Sequence, residues 1–294
     1  MKDILTIIIR LTVSCILAAT VMGSAFIVTN KAKKHNEHVN EQKVRYALLG
    51  YSADKPIPDS MALHEVYRYI VSDKQSQSIG YLLSGKEGFI FLTLDLSGKV
   101  IDKKSVEVDE AKVLEKEERD KVVKEIVGPG KDAKFADQTI IVTNNGERIA
   151  YLLDGKFTGF KTFIGVMLAT DPQFTLLGLE ILEHEEDPGL GAEIEQDYFR
   201  NQFKGKTFEQ LKDLDVVKEP LPDEYFQALE GDIAAEDAAK ILKKYGDKDI
   251  YALTGATISS RSVNNGVKSI VKKFAYRLNI LDAALVEQKI EVAF

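Results

Sequence analysis

The chain has 294 residues, a formal net charge of −7 and a hydrophobic share of 45%. Its acidic balance argues against a nucleic-acid partner, because nucleic-acid binding needs a basic surface that replaces counterions. The single cysteine, Cys15, excludes an intramolecular disulfide and any cysteine-ligated zinc or iron–sulfur site, and we expect no metal site in the chain.

The N-terminal segment is apolar and predicts a membrane anchor over residues 1–30. From Leu11 to Val28 there are about 18 uncharged residues, and extension to Ile4 gives about 25, enough for a bilayer core of roughly 30 Å. Arg10 lies near one end, where its side chain can reach the headgroups. A cleavable signal peptide is the alternative, because small residues at 23–25 resemble a cleavage site.

The next segment, 31–76, begins with a polar and charged run that predicts a stalk and helical linker. From Gln77, apolar runs alternate with glycine-containing turns and predict a strand meander over about 79–101. A charged stretch with helical spacing, Glu110 to Ile126, predicts a helix that ends at Gly128-Pro129-Gly130. We therefore predict a first α+β unit over 77–130.

The segment 131–294 is predicted to form the second unit. Two strands joined by Asn145-Gly146 predict a hairpin, and two further apolar runs at about 163–169 and 176–182 predict two more strands. The segment Tyr151 to Lys156 resembles Tyr81 to Lys86, which indicates two related strand units or a chance match. The predicted fold class is α+β: one N-terminal transmembrane helix, then a soluble domain with an antiparallel sheet and flanking helices.

The most informative motif is Thr254-Gly255-Ala256-Thr257, followed by Ile258 and Ser259. Apolar residues at spacings of three and four from Val263 to Phe274 predict a long helix that Thr257 opens. Free amides at a helix start favour an anion, and small residues allow close backbone approach, so the motif could hold a phosphate. Hydroxyl residues are also common helix caps, and the motif alone leaves both interpretations open.

A second motif lies upstream at His184-Glu185-Glu186-Asp187-Pro188-Gly189-Leu190-Gly191. Pro188-Gly189 marks a turn, because proline fixes φ and glycine accepts positive φ. A tight turn between a strand and a helix would account for this segment without any ligand.

Together the two motifs resemble the FMN-binding domain family, in particular the G subunit of the Rnf electron-transport complex and the related C subunit of the sodium-translocating NADH:quinone reductase. The resemblance implies that FMN is held covalently by a phosphoester bond to Thr257. It further implies a phosphate shell and a group of ring-side and bracing residues. The shell is Thr254, Gly255, Ala256, Ile258 and Ser259, the ring-side residues are Leu190 and Asp187, and the bracing residues are His184 and Glu186.

The chain departs from the family pattern at two positions. The family usually has an acidic residue three positions before the first motif residue, whereas Tyr251 stands here and Asp249 lies nearby. Asp187 replaces the usual threonine, and an ionised carboxylate beside the ring would disfavour an anionic reduced flavin and lower its potential.

The resemblance implies a membrane-anchored electron carrier, without a catalytic residue of its own, in an Rnf-type ferredoxin:NAD oxidoreductase that pumps ions. Its partners would be the other membrane subunits and a flavin transferase that attaches the cofactor. The resemblance also implies a single-pass protein of the cell inner membrane with the flavin domain on the extracytoplasmic side. Two alternatives remain: the quinone-reductase C subunit, or a membrane-tethered interaction module without flavin.

Overall fold

The computed structural model describes residues 2–52, 54–73, 76–86 and 88–294. By its internal contacts the chain divides into two compact units, Met1–Ala47 and Leu48–Phe294. Within the described residues, the second unit contains all the strands and all of the candidate functional residues.

The first helix, α1, covers Lys2–Leu48. Within it, Thr6–Ile27 has a mean hydropathy of 1.9, and among the described residues this is the one helical segment long and apolar enough to cross a membrane. Its 22 residues would span about 33 Å at the helical rise. The hydroxyls of Thr12 and Thr20 each donate to the carbonyl four residues earlier at 2.8 Å, which satisfies these polar groups within an apolar helix. The apolar helix is thus confirmed, and it continues into the predicted stalk.

The second unit is built on one eight-stranded antiparallel sheet in the order β4-β3-β2-β1-β5-β6-β7-β8. Asn145 and Gly146 have φ values of 52° and 82°, so the predicted hairpin turn is confirmed between β5 and β6. The strands are β1 Met61–Ser72, β2 Gln77–Gly85, β3 Gly88–Leu94, β4 Val100–Val106, β5 Asp132–Asn144, β6 Glu147–Thr158, β7 Phe163–Thr170 and β8 Leu176–Glu183.

Strand β1 differs from the sequence prediction, since it lies wholly within the segment 31–76 that is predicted to be stalk and linker. It pairs with both β2 and β5 in the middle of the sheet. Its polar residues find partners only in the folded chain: His64 contacts the Thr143 hydroxyl at 3.0 Å, and Arg68 binds the Asp137 carboxylate through two hydrogen bonds of 2.9 and 2.6 Å. The same sheet runs continuously across the predicted boundary at 130.

The sheet consists of two four-stranded meanders, β1–β4 and β5–β8, which meet where β1 pairs with β5. The similar segments at Tyr81 and Tyr151 lie on β2 and β6, the second strand of each meander. This equivalent placement supports the hypothesis of two related strand units.

The segment between the meanders forms two helices where the sequence predicts one. They are α2 (Glu110–Leu114) and α3 (Lys116–Val127), and the chain is extended at Glu115, with ψ at 114°. The buried Arg119 contacts the end of α2, since its guanidinium donates to the carbonyl of Val113 at 2.8 Å and lies 3.8 Å from the centroid of the Tyr67 ring.

After β8 the chain forms short elements and then one long helix. Two 3-10 turns, Gly191–Glu195 and Asn201–Phe203, flank a single helical turn. The helices are α4 Asp197–Arg200, α5 Phe208–Asp213, α6 Asp223–Glu230, α7 Ala235–Tyr245 and α8 Thr257–Glu287, and two short parallel strands, β9 Val216–Val217 and β10 Ile250–Tyr251, lie among them.

Helix α8 packs against the sheet through two reciprocal close contacts. Ile270 of the helix fills the space above Gly155 of β6, where an added Cβ would lie 2.2 Å from the Ile270 Cδ1. Conversely, Phe157 of β6 lies against Gly266 of the helix, where an added Cβ would be 2.1 Å from the Phe157 Cδ1. The predicted apolar stripe from Val263 to Phe274 is buried, as expected. This packing fixes the start of α8 relative to the end of β6.

Candidate functional site

The first turn of α8 begins at Thr257 without a side-chain cap. Gly255 has a φ of +77°, and the N-cap residue is Ala256, whose methyl group cannot accept a hydrogen bond. The amide of Ser260 donates to the Ala256 carbonyl at 3.0 Å, so the amides of the preceding helical residues have no intrahelical acceptor. The interpretation of this motif as a simple side-chain cap is therefore wrong.

Ser260, which the sequence analysis did not single out, closes the turn before the helix. Its hydroxyl accepts from the Leu253 amide and donates to the Ala256 carbonyl, both at 3.0 Å. The only indication of this role in the sequence is that Ser260 directly follows Ser259. The turn leaves Thr257 half-buried, Ala256 and Ser259 buried, and the remaining motif residues exposed, namely Thr254, Gly255 and Ile258.

The second motif forms a tight turn that contacts the first. Gly189 has a φ of +71°, and the amide of Leu190 donates to the Asp187 carbonyl at 3.1 Å. The Cδ2 of Leu190 lies 3.0 Å from where a Cβ on Gly255 would stand. The structure thus brings together two motifs that are far apart in sequence.

Glu186 is the buried centre of the site, with only 4% of its surface exposed. Its Oε1 accepts from the amides of Phe160 at 2.8 Å and Lys161 at 3.2 Å, and its Oε2 accepts from the hydroxyl of Ser259. Since the Ser259 hydroxyl is engaged by this carboxylate, the backbone amide of Ser259 is the donor that this residue offers at the start of the helix.

His184 supports the Glu186 main chain. Its Nδ1 accepts from the Glu186 amide at 3.0 Å, so the ring proton is on Nε2, which lies 2.8 Å from a carboxylate oxygen of Glu195. Sequence reasoning had no signal for Glu195 as the partner of this imidazole.

The connection between β6 and β7 contributes residues that sequence reasoning missed. The Nζ of Lys161 lies 2.5 Å from Oδ1 of Asp187, and both side chains are partly exposed. Gly159 allows the β6–β7 connection to lie close to Glu186, because a Cβ there would lie 2.5 Å from Oε1 of Glu186. The charge of Asp187 is therefore paired, which the sequence-based expectation for this residue did not include.

Exposed apolar side chains surround the start of α8. Phe160, Leu190 and Ile258 are 55%, 46% and 58% exposed, although they belong to segments that converge on Glu186. The first-turn amides without intrahelical acceptors and the half-buried Thr257 suit a phosphate, and the exposed apolar side chains suit an aromatic ring. The residues present therefore fit a flavin mononucleotide.

Tyr251, at the position where the family usually has an acidic residue, lies in an aromatic cluster. Tyr225 and Tyr245 stack with their centroids 4.4 Å apart, and the Tyr251 ring lies 6.1 and 6.4 Å from them. Burial raises the pKa of the Tyr225 hydroxyl to about 12. A carboxylate at position 251 would be desolvated among these rings, which explains why tyrosine suits this fold.

Comparison with known proteins supports the family assignment. Residues 159–272 match the family model of the FMN-binding domain, a segment that contains both motifs and the β6–β7 connection. The chain is 33% identical over 125 residues to the G subunit of a proton-translocating ferredoxin:NAD(+) oxidoreductase complex from Clostridium ljungdahlii, which covers 42% of this chain and 53% of that protein. It is 26% identical over 138 residues to the G subunit of the Na(+)-translocating complex from Acetobacterium woodii, which covers 47% and 55%.

The chain spans little more than half the length of these relatives. Among solved structures, Shewanella oneidensis NqrC is similar with a TM-score of 0.41 and 16% identity, over 83% of this chain and 97% of that one. The segment 159–272, in which the two motifs are adjacent in space, thus matches the model of the FMN-binding domain family.

Proposed function

We propose that this protein relays electrons through FMN bound covalently to Thr257, as a subunit of a membrane-bound, ion-translocating Rnf-type ferredoxin:NAD oxidoreductase. The observation that carries the proposal is the position of Thr257, half-buried at the first residue of α8 and two residues after Gly255, which contacts Leu190 of the second motif. The names of the similar G subunits support the complex, and the apolar helix Thr6–Ile27 supports membrane attachment.

The chain's residues can hold the phosphate at the start of α8. The Thr257 hydroxyl would supply the oxygen of the phosphoester, while amides of the first turn and the helix dipole stabilise the negative charge. The bond from Thr257 Oγ to phosphorus forms as the bond to a leaving group on an activated flavin nucleotide breaks, and the hydroxyl proton departs with that group. A flavin transferase would perform this step. The chain then gains the mass of FMN less one water.

The exposed apolar side chains would hold the ring. Leu190 would pack on one face, and Phe160 and Ile258 would shield its edges from water. Bound FMN supplies the ability to take two electrons and release them singly. The residues position the ring and set its potential, so the protein is a carrier that needs partner subunits to accept and deliver electrons.

Mass spectrometry of the full chain, purified from membranes of cells that contain a flavin transferase, tests this function. We expect the peptide that contains Thr257 to carry the mass of FMN less water, and the other subunits of the complex to copurify. An unmodified Thr257 peptide from such cells would contradict the flavin proposal and favour the interaction module. Copurification with subunits of a quinone reductase would favour that alternative complex.

Lys161 and Asp187, which form an ion pair, should shift the flavin midpoint potential in opposite directions. Replacing Asp187 with threonine removes a negative charge and frees Lys161, so we expect the midpoint potential to rise by tens of millivolts, since about 30 mV corresponds to 1.4 kcal/mol in a two-electron couple. Replacing Lys161 with glutamine should lower it. Redox titration of both variants checks this, and equal potentials in wild type and both variants would contradict a ring-side position for the pair.

A further inference from the structure

One buried carboxylate joins three separate segments of the candidate site. Glu186 accepts hydrogen bonds from the β6–β7 connection through the amides of Phe160 and Lys161, and from α8 through the hydroxyl of Ser259. All three partners donate, so both carboxylate oxygens act only as acceptors.

The backbone around Glu186 is shaped to its side chain. A Cβ on Gly159 would lie 2.5 Å from Oε1, and a Cβ on Gly191 would lie 2.8 Å from Oε2. Glycine at both positions therefore allows the backbone to approach each of the two carboxylate oxygens closely. The Glu186 side chain fills the space between Gly159 and Gly191.

Each segment that Glu186 contacts carries residues of the candidate site. The β6–β7 connection carries Phe160 and Lys161, and the loop of the second motif, residues 184–191 (the motif loop), carries Asp187 and Leu190. Ser259 lies in the same helical turn as Thr257. A shift of any one segment would separate the hydroxyl of Thr257 from the apolar rim. Misplacement by about 1 Å can cost a reaction roughly 100-fold.

We propose that Glu186 is the positioning residue that aligns the first turn of α8 with the β6–β7 connection and the motif loop before the flavin is attached. This inference rests on the proposed function. Glu186 does not touch the reacting oxygen of Thr257; it acts through Ser259 and through the amides of Phe160 and Lys161.

Two substitutions at Glu186 test whether its hydrogen bonds align the three segments. Alanine removes all three hydrogen bonds. Glutamine can keep its oxygen toward the two amides, and its amide group can donate to the Ser259 hydroxyl, because a hydroxyl both donates and accepts. The alignment of the three segments should therefore be largely retained in Glu186→Gln and lost in Glu186→Ala.

The experiment follows covalent FMN on the full chain over time, in cells that coexpress a flavin transferase. We expect incorporation to slow tenfold or more in Glu186→Ala, since hydrogen bonds to a charged group are each strong. Glu186→Gln should restore it to within about threefold of wild type. The matched control is Glu185→Ala, at an exposed neighbouring glutamate, which should behave as wild type.

Hydrogen exchange on the flavin-free chain provides a readout that does not depend on the cofactor. The amides of Phe160 and Lys161 should exchange at least tenfold faster in Glu186→Ala, while amides of β1 to β4 stay unchanged. General loss of stability would raise exchange in both regions. If Glu186→Ala does not fold, Ser259→Ala, which removes only the contact to α8, should slow incorporation about threefold.

A wild-type rate of flavin incorporation in Glu186→Ala would overturn the positioning role. If that variant does not fold, wild-type rates in both Glu186→Gln and Ser259→Ala would overturn it. So would slow incorporation with unchanged exchange of the Phe160 and Lys161 amides, or failure of glutamine to restore the rate. Wild-type chain that never acquires flavin would instead refute the proposed function. The two failures are therefore distinguishable.

Discussion

Replacement of Thr257 by alanine is expected to abolish covalent flavin on this protein. The side-chain hydroxyl is the only atom of residue 257 that can form a phosphoester, and the hydroxyl of the nearby Ser259 is buried and engaged by Glu186. In-gel flavin fluorescence after denaturation and the mass of the intact chain measure the outcome. We expect the signal to fall to background.

Two variants control for effects other than loss of the attachment oxygen. Thr257→Ser keeps a hydroxyl at the first residue of α8 and should retain flavin, although at a lower yield. Thr254→Ala removes an exposed hydroxyl from the preceding turn and should leave the covalent bond intact. Fluorescence that persists in Thr257→Ala would place the attachment at another residue.

The second large effect is expected at Gly266, where helix α8 touches the sheet. Glycine to alanine inside a helix ordinarily stabilises by about 1 kcal/mol. Here the new methyl group would lie 2.1 Å from Cδ1 of Phe157, so the helix or the strand must move. Such overpacking costs about 1–3 kcal/mol, and we expect a lower melting temperature by about 2–4 °C for each kcal/mol.

Thermal unfolding followed by circular dichroism measures this effect. Phe157→Leu combined with Gly266→Ala should recover part of the loss, because the smaller side chain leaves room for the methyl group. Gly246→Ala is a matched control, since a Cβ there meets no atom closer than 3.4 Å. A higher melting temperature in Gly266→Ala would show that the contact of α8 with β6 is looser than the structure indicates.

Local patterns predicted most strands of the sheet and the long final helix. Alternating or continuous apolar runs bounded by glycine predict strands, and the spacing of Val263 to Phe274 predicts a buried helical face, because these signals depend only on nearby residues. Strand β1 was missed because His64 and Arg68 interrupt its pattern. Their partners, Thr143 and Asp137, lie on β5 and are visible only in the folded sheet.

The sequence by itself determined the apolar helix, the α+β class and the two motifs, including Thr257 at the start of a helix and Leu190 after a turn. Only the tertiary structure showed that Glu186 gathers Phe160, Lys161 and Ser259, and that Lys161 pairs with Asp187. The physical reason is that hydrogen bonds and ion pairs between distant segments depend on sheet register and helix packing. Such contacts between distant segments produce no periodic pattern in the neighbouring sequence from which they could be predicted.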